Sequence, residues 1–250
     1  MAHRLPSLLL ILLFLPTASE ATWSVVKLED DSKSIVVAGA SCSFMVYGIA
    51  SVVPGKGVAI VQAASSEQAR AYASEQIAAG LPLKTILAHI IDSTFIPDVD
   101  EQQYALLSFA EWQEPVTYTG DETSAWRGAK SSPGISVQAN TMVSEKIVSA
   151  AFNILQGKTS SDLELAEQAL VALQAGSAAG GDSRCGEATA SSAFISVFRA
   201  TDQPSMPYIN LVVFGIEPGA ANAVSRLAAL FALWRAEGAG NRSTQQFVVP

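Results

Sequence analysis

Histidine is nearly missing from this chain: only His3 and His89 occur in 250 residues. A Ser-His-Asp site needs one, and His89 falls inside an apolar helical pattern, where a satisfied, partly buried ring is the expected role. Cysteine is as scarce. Cys42 and Cys185 stand alone, so no zinc-ligand spacing arises, and neither metal nor cofactor is expected. Charge is sparse too, at 15% of residues, with 23 acidic against 15 basic side chains and a net charge of −8. An acidic chain without a Lys/Arg cluster suits neither nucleic acid nor an anionic membrane; its charge serves solubility. No apolar run reaches the roughly 20 residues that a membrane-spanning helix requires. No Pro-, Gly- or Ser-rich linker divides the chain, and no internal repeat is present. With 49% hydrophobic residues, one globular domain with a sizeable core is expected.

Two familiar motifs are approached and missed. Gly39-Ala40-Ser41-Cys42-Ser43 lacks the final glycine and following helix of a nucleophile elbow. Gly55-Lys56-Gly57 lacks the spacing of a phosphate loop.

What is present begins at the N-terminus. Arg4, an apolar run from Leu8 to Leu15, Pro16 and then small residues follow the order of a secretory signal. Ser19 and Ala21 supply the small residues before a cut at Ala21/Thr22; a cut after Ala18 would place Pro16 less favourably. Residues 1–21 are therefore expected to be a signal peptide, 22–237 a single domain and 238–250 a polar tail, with the protein secreted. In an oxidising compartment Cys42 and Cys185 can form one long-range disulfide, or each can be a small buried residue. Asn241-Arg242-Ser243 fits the N-glycan acceptor pattern.

Periodicity predicts a hairpin of Thr22–Glu29 and Ser34–Ser41, turning at Asp30-Asp31-Ser32, and a third strand over Gly57–Ala63. An alanine-rich helix follows from Ser66-Glu67 to Ala79, closed by Gly80, and a second follows Pro82 with Ile86, His89 or Ile90, and Ser93 along its inner face. Further strands are predicted at Tyr104–Phe109, Val116–Thr119 and Gly134–Asn140. Two more helices run over Val143–Leu155 and Asp162–Ala175, the latter capped by Ser160 or Ser161 and lined by Leu163, Leu170 and Leu173. Strands at Ala193–Phe198 and Tyr208–Phe214 precede a last helix that carries Val224, Leu227, Phe231 and Trp234 on one face. Helices that arrive in pairs between runs of strands predict an α+β fold with mostly antiparallel sheets packed together and covered outside. A doubly wound parallel sheet would need strict alternation.

A cut at Ala21/Thr22 would create a site that needs no histidine. The hydroxyl and the free α-amine of Thr22 then share one residue, so the amine can take the hydroxyl proton, directly or through water. An α-amine titrates at about 7.7–8.0, leaving a useful neutral fraction near neutrality. A nearby cation would lower that value, and Lys27 or Lys33 on the first hairpin could supply it.

The chain also resembles, nearly end to end, the domain-of-unknown-function family one-zero-two-eight, placed among the N-terminal-nucleophile (Ntn) hydrolase-like folds. The resemblance is carried by Thr22-Trp23-Ser24, Pro54-Gly55-Lys56-Gly57-Val58-Ala59-Ile60-Val61-Gln62, Ala78-Ala79-Gly80 and Tyr118-Thr119-Gly120. It continues through Ser136-Val137-Gln138-Ala139-Asn140 and Ala179-Gly180-Gly181-Asp182-Ser183-Arg184. Ala139 stands where the family has glycine, Cys185 where glycine is usual, and Glu187 where glutamine is expected. The resemblance implies a four-layer αββα sandwich with Thr22 as nucleophile, and it implies no established substrate.

Candidate roles follow. Gln138 and Asn140 alternate along one strand, so an amide on that face can donate to an oxyanion, or Asn140 closes the strand end. Asp182 and Arg184 either pair with each other or bind a charged substrate group. Ser24 shares the face of Thr22, to hydrogen-bond in the site or simply to pack. The leading expectation is a secreted amidohydrolase acting on a small amide or peptide-like bond. The alternative is a non-catalytic ligand-binding module on the same fold. Homo-oligomerisation is left open.

Overall fold

The computed structural model describes residues 21–217, 221–237 and 246–248. Asn241 and residues 1–20 lie outside them, and with these the glycan acceptor and nearly all of the expected signal peptide. Strand β1 (Thr22–Glu29) pairs antiparallel with β2 (Ser34–Ser41), Thr22 opposite Ser41 and Glu29 opposite Ser34, as the hairpin reading required. On its other side β1 pairs with β8 (Ile135–Met142), so that Thr22 also faces Asn140. The large sheet is completed by β7 (Trp126–Ser132), β9 (Ser192–Phe198), β10 (Ile209–Val213) and β11 (Gln246–Val248), in the order β11-β10-β9-β2-β1-β8-β7. A smaller sheet has the order β3-β4-β5-β6, from Ala50–Val53, Gly57–Ala63, Gln102–Ser108 and Val116–Thr119. All pairings are antiparallel except β10 with β11.

Strand alternation sorts the side chains of β1 between two cores. Trp23 and Val25 join a cluster with α3 (Lys146–Leu155), α4 (Asp162–Ala178) and α5 (Ala223–Ala236). Val26 and Leu28 join a second cluster, which includes Val58 and Ile60 of β4 and Leu107 of β5, between the sheets. A third cluster packs α1 (Glu67–Ala79) and α2 (Leu83–Ile90) onto Ala59, Val61, Tyr104 and Leu106 of the small sheet. The fold is thus mixed α+β with mainly antiparallel sheets.

Local chemistry explains the helix limits. The Ser66 side chain accepts from Ala69 N–H at the start of α1, and Gly80 ends it in the left-handed conformation at φ 81°. Ser161, rather than Ser160, caps α4 by accepting from Glu164 N–H. Helix α4 runs past Ala175 to Ala178 and packs Gly176 against Trp23, where a Cβ would stand 2.7 Å from the indole nitrogen. Helix α3 starts at Lys146 rather than Val143, which is 52% exposed beyond the end of β8.

Three expectations change. His89 is exposed and stacks on Tyr72 and Phe95, with ring centroids 4.2 and 4.3 Å away; Ile90 takes the buried position, and Ser93 lies exposed past the helix end. The edge strands β3 and β7 were not anticipated, because edge positions carry no strong apolar alternation. Within the expected C-terminal tail, Gln246–Val248 forms a strand on β10.

Tyr104 is fully buried among apolar groups, and its hydroxyl finds no hydrogen-bond partner among the described residues. Burial pushes its pKa well above the usual phenol range. Tyr104→Phe should therefore hold or raise stability, by about 1 kcal/mol, a Tm gain of roughly 2–4 °C by calorimetry.

Candidate active site

Thr22 opens β1, an interior strand of the large sheet, and is 2% exposed. Its face of β1 looks toward the small sheet, where a chain of fully buried polar side chains crosses the gap. Ser136 Oγ donates to Gln138 Oε1 at 2.7 Å, and Gln138 Nε2 donates to Ser24 Oγ at 2.6 Å. Ser24 Oγ donates to Gln62 Oε1 at 2.5 Å, and Gln62 Nε2 donates to Gln103 Oε1 at 2.7 Å. Asn140 Nδ2 donates to the same Gln103 oxygen at 3.1 Å, while Gln62 Nε2 also reaches the Thr22 carbonyl at 3.3 Å. Gln62 and Gln103 were missed by sequence reasoning. Their strand positions looked like ordinary inner-face residues, and only the pairing of two sheets shows them partnering Ser24 and Asn140.

The amides of Gln138 and Asn140 are therefore engaged within this seam. Each points to the same side, as alternation required, yet each donates to a buried protein oxygen.

The other half of the site comes from the glycine-rich loop after α4. Asp182 is fully buried. Its carboxylate accepts from Arg184 Nε at 3.1 Å and Nη2 at 2.9 Å in a two-point pair, from Arg184 N–H at 2.9 Å and from Cys42 N–H at 2.7 Å. Cys42 and Cys185 form a disulfide with Cα atoms 5.6 Å apart. The bridge accounts for the cysteine at position 185. The carboxylate and the bridge together bind the loop to the end of β2.

From this anchor Arg184 Nη2 donates to the Ala21 carbonyl at 3.2 Å, and Ser41 Oγ donates to the same oxygen. Thr22, Ser41, Asn140, Asp182 and Arg184 thus meet at one end of the large sheet. A cavity of about 280 Å³ opens beside Arg184, lined also by Cys42, Cys185, Phe44, Ile216 and Glu217 among others.

Neither lysine serves the threonine. Lys33 sits in the exposed hairpin turn, paired with Asp30, at the far end of β1 from Thr22. Lys27 points to the helix side, where its ammonium donates to Gly157 O at 2.7 Å and Gln168 Oε1 at 2.8 Å. The cation next to Thr22 is instead Arg184, which sequence reading had assigned to substrate or loop. Among the described residues no His/Cys/Asp/Glu cluster suits a metal, and no helix is long and apolar enough to cross a membrane.

Two outcomes follow from this geometry. Burial lowers the Lys27 pKa against the opposing pull of Glu29. Between the lowered value and the unfolded value of about 10.4 the unfolded chain holds more protons, so stability rises with pH there. Urea melts should show wild type gaining on Lys27→Met as pH climbs toward that limit. Removing the bridge with Cys42→Ala plus Cys185→Ala should cost about 2–5 kcal/mol in the same assay.

Searching curated proteins returned no match. A solved structure, a protein of Silicibacter pomeroyi assigned to DUF1028, is similar with a TM-score of 0.70 at 17% identity, over 88% of this chain and 91% of that one. At that identity the likeness concerns the fold. The family described as "Family of unknown function (DUF1028)" matches residues 22–218, beginning on Thr22 and ending before α5. The chain belongs to the DUF1028 family.

Proposed function

We propose that this protein is a secreted amidohydrolase of the N-terminal-nucleophile type, in which Thr22 becomes the first residue once the segment before it is removed. In this reading the helix-covered pair of sheets is the four-layer αββα sandwich of that superfamily. One observation carries the proposal: Thr22 is held nearly buried at the head of an interior strand, directly after the carbonyl that Arg184 binds at the edge of a cavity, rather than splayed into solvent. The start of the family match on Thr22 adds to it.

The chemistry is self-contained. The freed α-amine takes the hydroxyl proton as Oγ1 bonds to the carbon of a small amide or peptide-like substrate. The proton passes to the departing amine nitrogen as the C–N bond breaks, leaving an ester on Thr22. Water, deprotonated by the same α-amine, then cleaves that ester, releasing the acid and restoring the hydroxyl. Arg184 would hold the amine toward its neutral form by charge repulsion, tempered by the Asp182 pairing. Asp182 is a positioning residue for Arg184, and the seam through Ser24 positions β1.

The non-catalytic ligand-binding module is favoured by one feature, the commitment of the Gln138 and Asn140 amides to the seam. The two readings separate at Thr22. N-terminal sequencing of the secreted protein should begin Thr-Trp-Ser. In an amide-substrate screen Thr22→Ala should lose activity by about 10³-fold or more, whereas Thr22→Ser retains it. A longer N-terminus, or activity indifferent to Thr22→Ala, refutes the nucleophile.

A further inference from the structure

The carbonyl of Ala21 accepts from two side-chain donors, Arg184 Nη2 and Ser41 Oγ. Arg184 Nη2 reaches it at 3.2 Å while also donating to Asp182 Oδ2 at 2.9 Å, and Nε stays on Asp182 Oδ1. Ser41 Oγ accepts from Ser43 N–H at 2.9 Å, lies 2.8 Å from Ser43 Oγ and donates to the Ala21 oxygen. Ala21 itself is fully buried, with its methyl group in the helix-side core. A cut between Ala21 and Thr22 removes this residue and with it the acceptor that Arg184 Nη2 and Ser41 Oγ share.

The place of that acceptor coincides with the one an acyl group would take. In the uncut chain the Ala21 carbonyl carbon is bonded to Thr22 N; in an ester intermediate the substrate carbonyl carbon is bonded to Thr22 Oγ1. The two atoms belong to the same residue and can close a five-membered ring through that carbon, so the carbonyl oxygen need move little between them. The geometry points to Arg184 Nη2 and Ser41 Oγ as the donors that hold the acyl carbonyl, and its oxyanion, during transfer to Thr22. Gln138 and Asn140 are not needed for this, since their amides are bonded within the seam.

Ala21 also marks the class of substrate. The acyl half is peptide-like, with a small aliphatic residue at the scissile carbonyl, and the rest of it extends into the 280 Å³ cavity walled by the disulfide. Arg184 already shares its charge with Asp182, which suits a neutral amide whose oxygen gains charge only as the bond forms. This assignment rests on the nucleophile reading for its chemistry, but the binding it requires does not depend on turnover.

The test uses two forms of the protein, one beginning at Thr22 and one at Ala21, both checked for cooperative melting. N-acetyl-L-alanine, the acid released from an N-acetylalanyl amide, is titrated into each and followed by NMR. The form beginning at Thr22 should bind it at least about tenfold more tightly, and Ser41→Ala or Arg184→Lys should each weaken binding about tenfold in protein that still melts cooperatively, a factor equal to the loss of one charged or neutral hydrogen bond. Arg184→Lys is preferred to alanine because it keeps a cation beside the buried Asp182 carboxylate. N-acetyl-L-leucine should bind more weakly than the alanine probe. Equal binding to the two forms, binding to neither, or binding unchanged by both substitutions overturns the assignment. Binding that obeys these rules in a Thr22→Ala background, with no turnover by wild type, upholds the subsite and refutes the catalytic reading alone.

Discussion

The Asp182 carboxylate is the fixed point of this protein's candidate site. Buried completely, it is tolerable only because three donors on Arg184 and the backbone N–H of Cys42 surround it. Breaking such a pair by removing one partner typically costs about 3–5 kcal/mol. That penalty is what makes the loop rigid: Arg184 has one comfortable pose, and in that pose a guanidinium nitrogen faces the residue before Thr22. The disulfide from Cys42 to Cys185 ties the same two segments covalently. Electrostatic and covalent constraints therefore agree on where the loop lies.

A second constraint works from the opposite side. Between sheets otherwise packed with valine, leucine and isoleucine, Ser24, Gln62, Gln103, Gln138 and Asn140 are fully buried and linked to one another. A seam of this kind stabilises little over an apolar core, but it penalises every register in which its members lose their partners. A slip of β1 by one residue would turn Ser24 away from Gln62 and carry Thr22 out of its place between Ser41 and Asn140. The polar seam and the buried carboxylate thus set the same end of the same strand from two directions.

Much of this was readable as pattern. The first hairpin, the capping serine of α1 and the helix pairs all follow local rules of alternation, capping and glycine placement. Boundaries failed where tertiary contacts override those rules. Helix α4 runs through Gly176, which marks no helix end here but the place where Trp23 fills the space a side chain would need. The strands β3 and β7 at sheet edges, and β11 near the C-terminus, lack a distinct apolar rhythm. Within the site, Thr22, Ser24, Asp182 and Arg184 were legible from motif and alternation. Lys33 misled because membership of a hairpin says nothing about which end of it a residue occupies, and Lys27 because facing is settled only by what packs on each side.

The sequence by itself determined the α+β class, the antiparallel hairpin at the front of the domain and the candidacy of Thr22, since these depend on periodicity and on chemistry within one residue. Only the tertiary structure decided that the two thiols join, which amides are already bonded and which cation stands beside the threonine. Those are distances between segments far apart in the chain, Ala21 and Arg184 being 163 residues apart, and no local rule constrains them until two sheets and a loop have closed on one another.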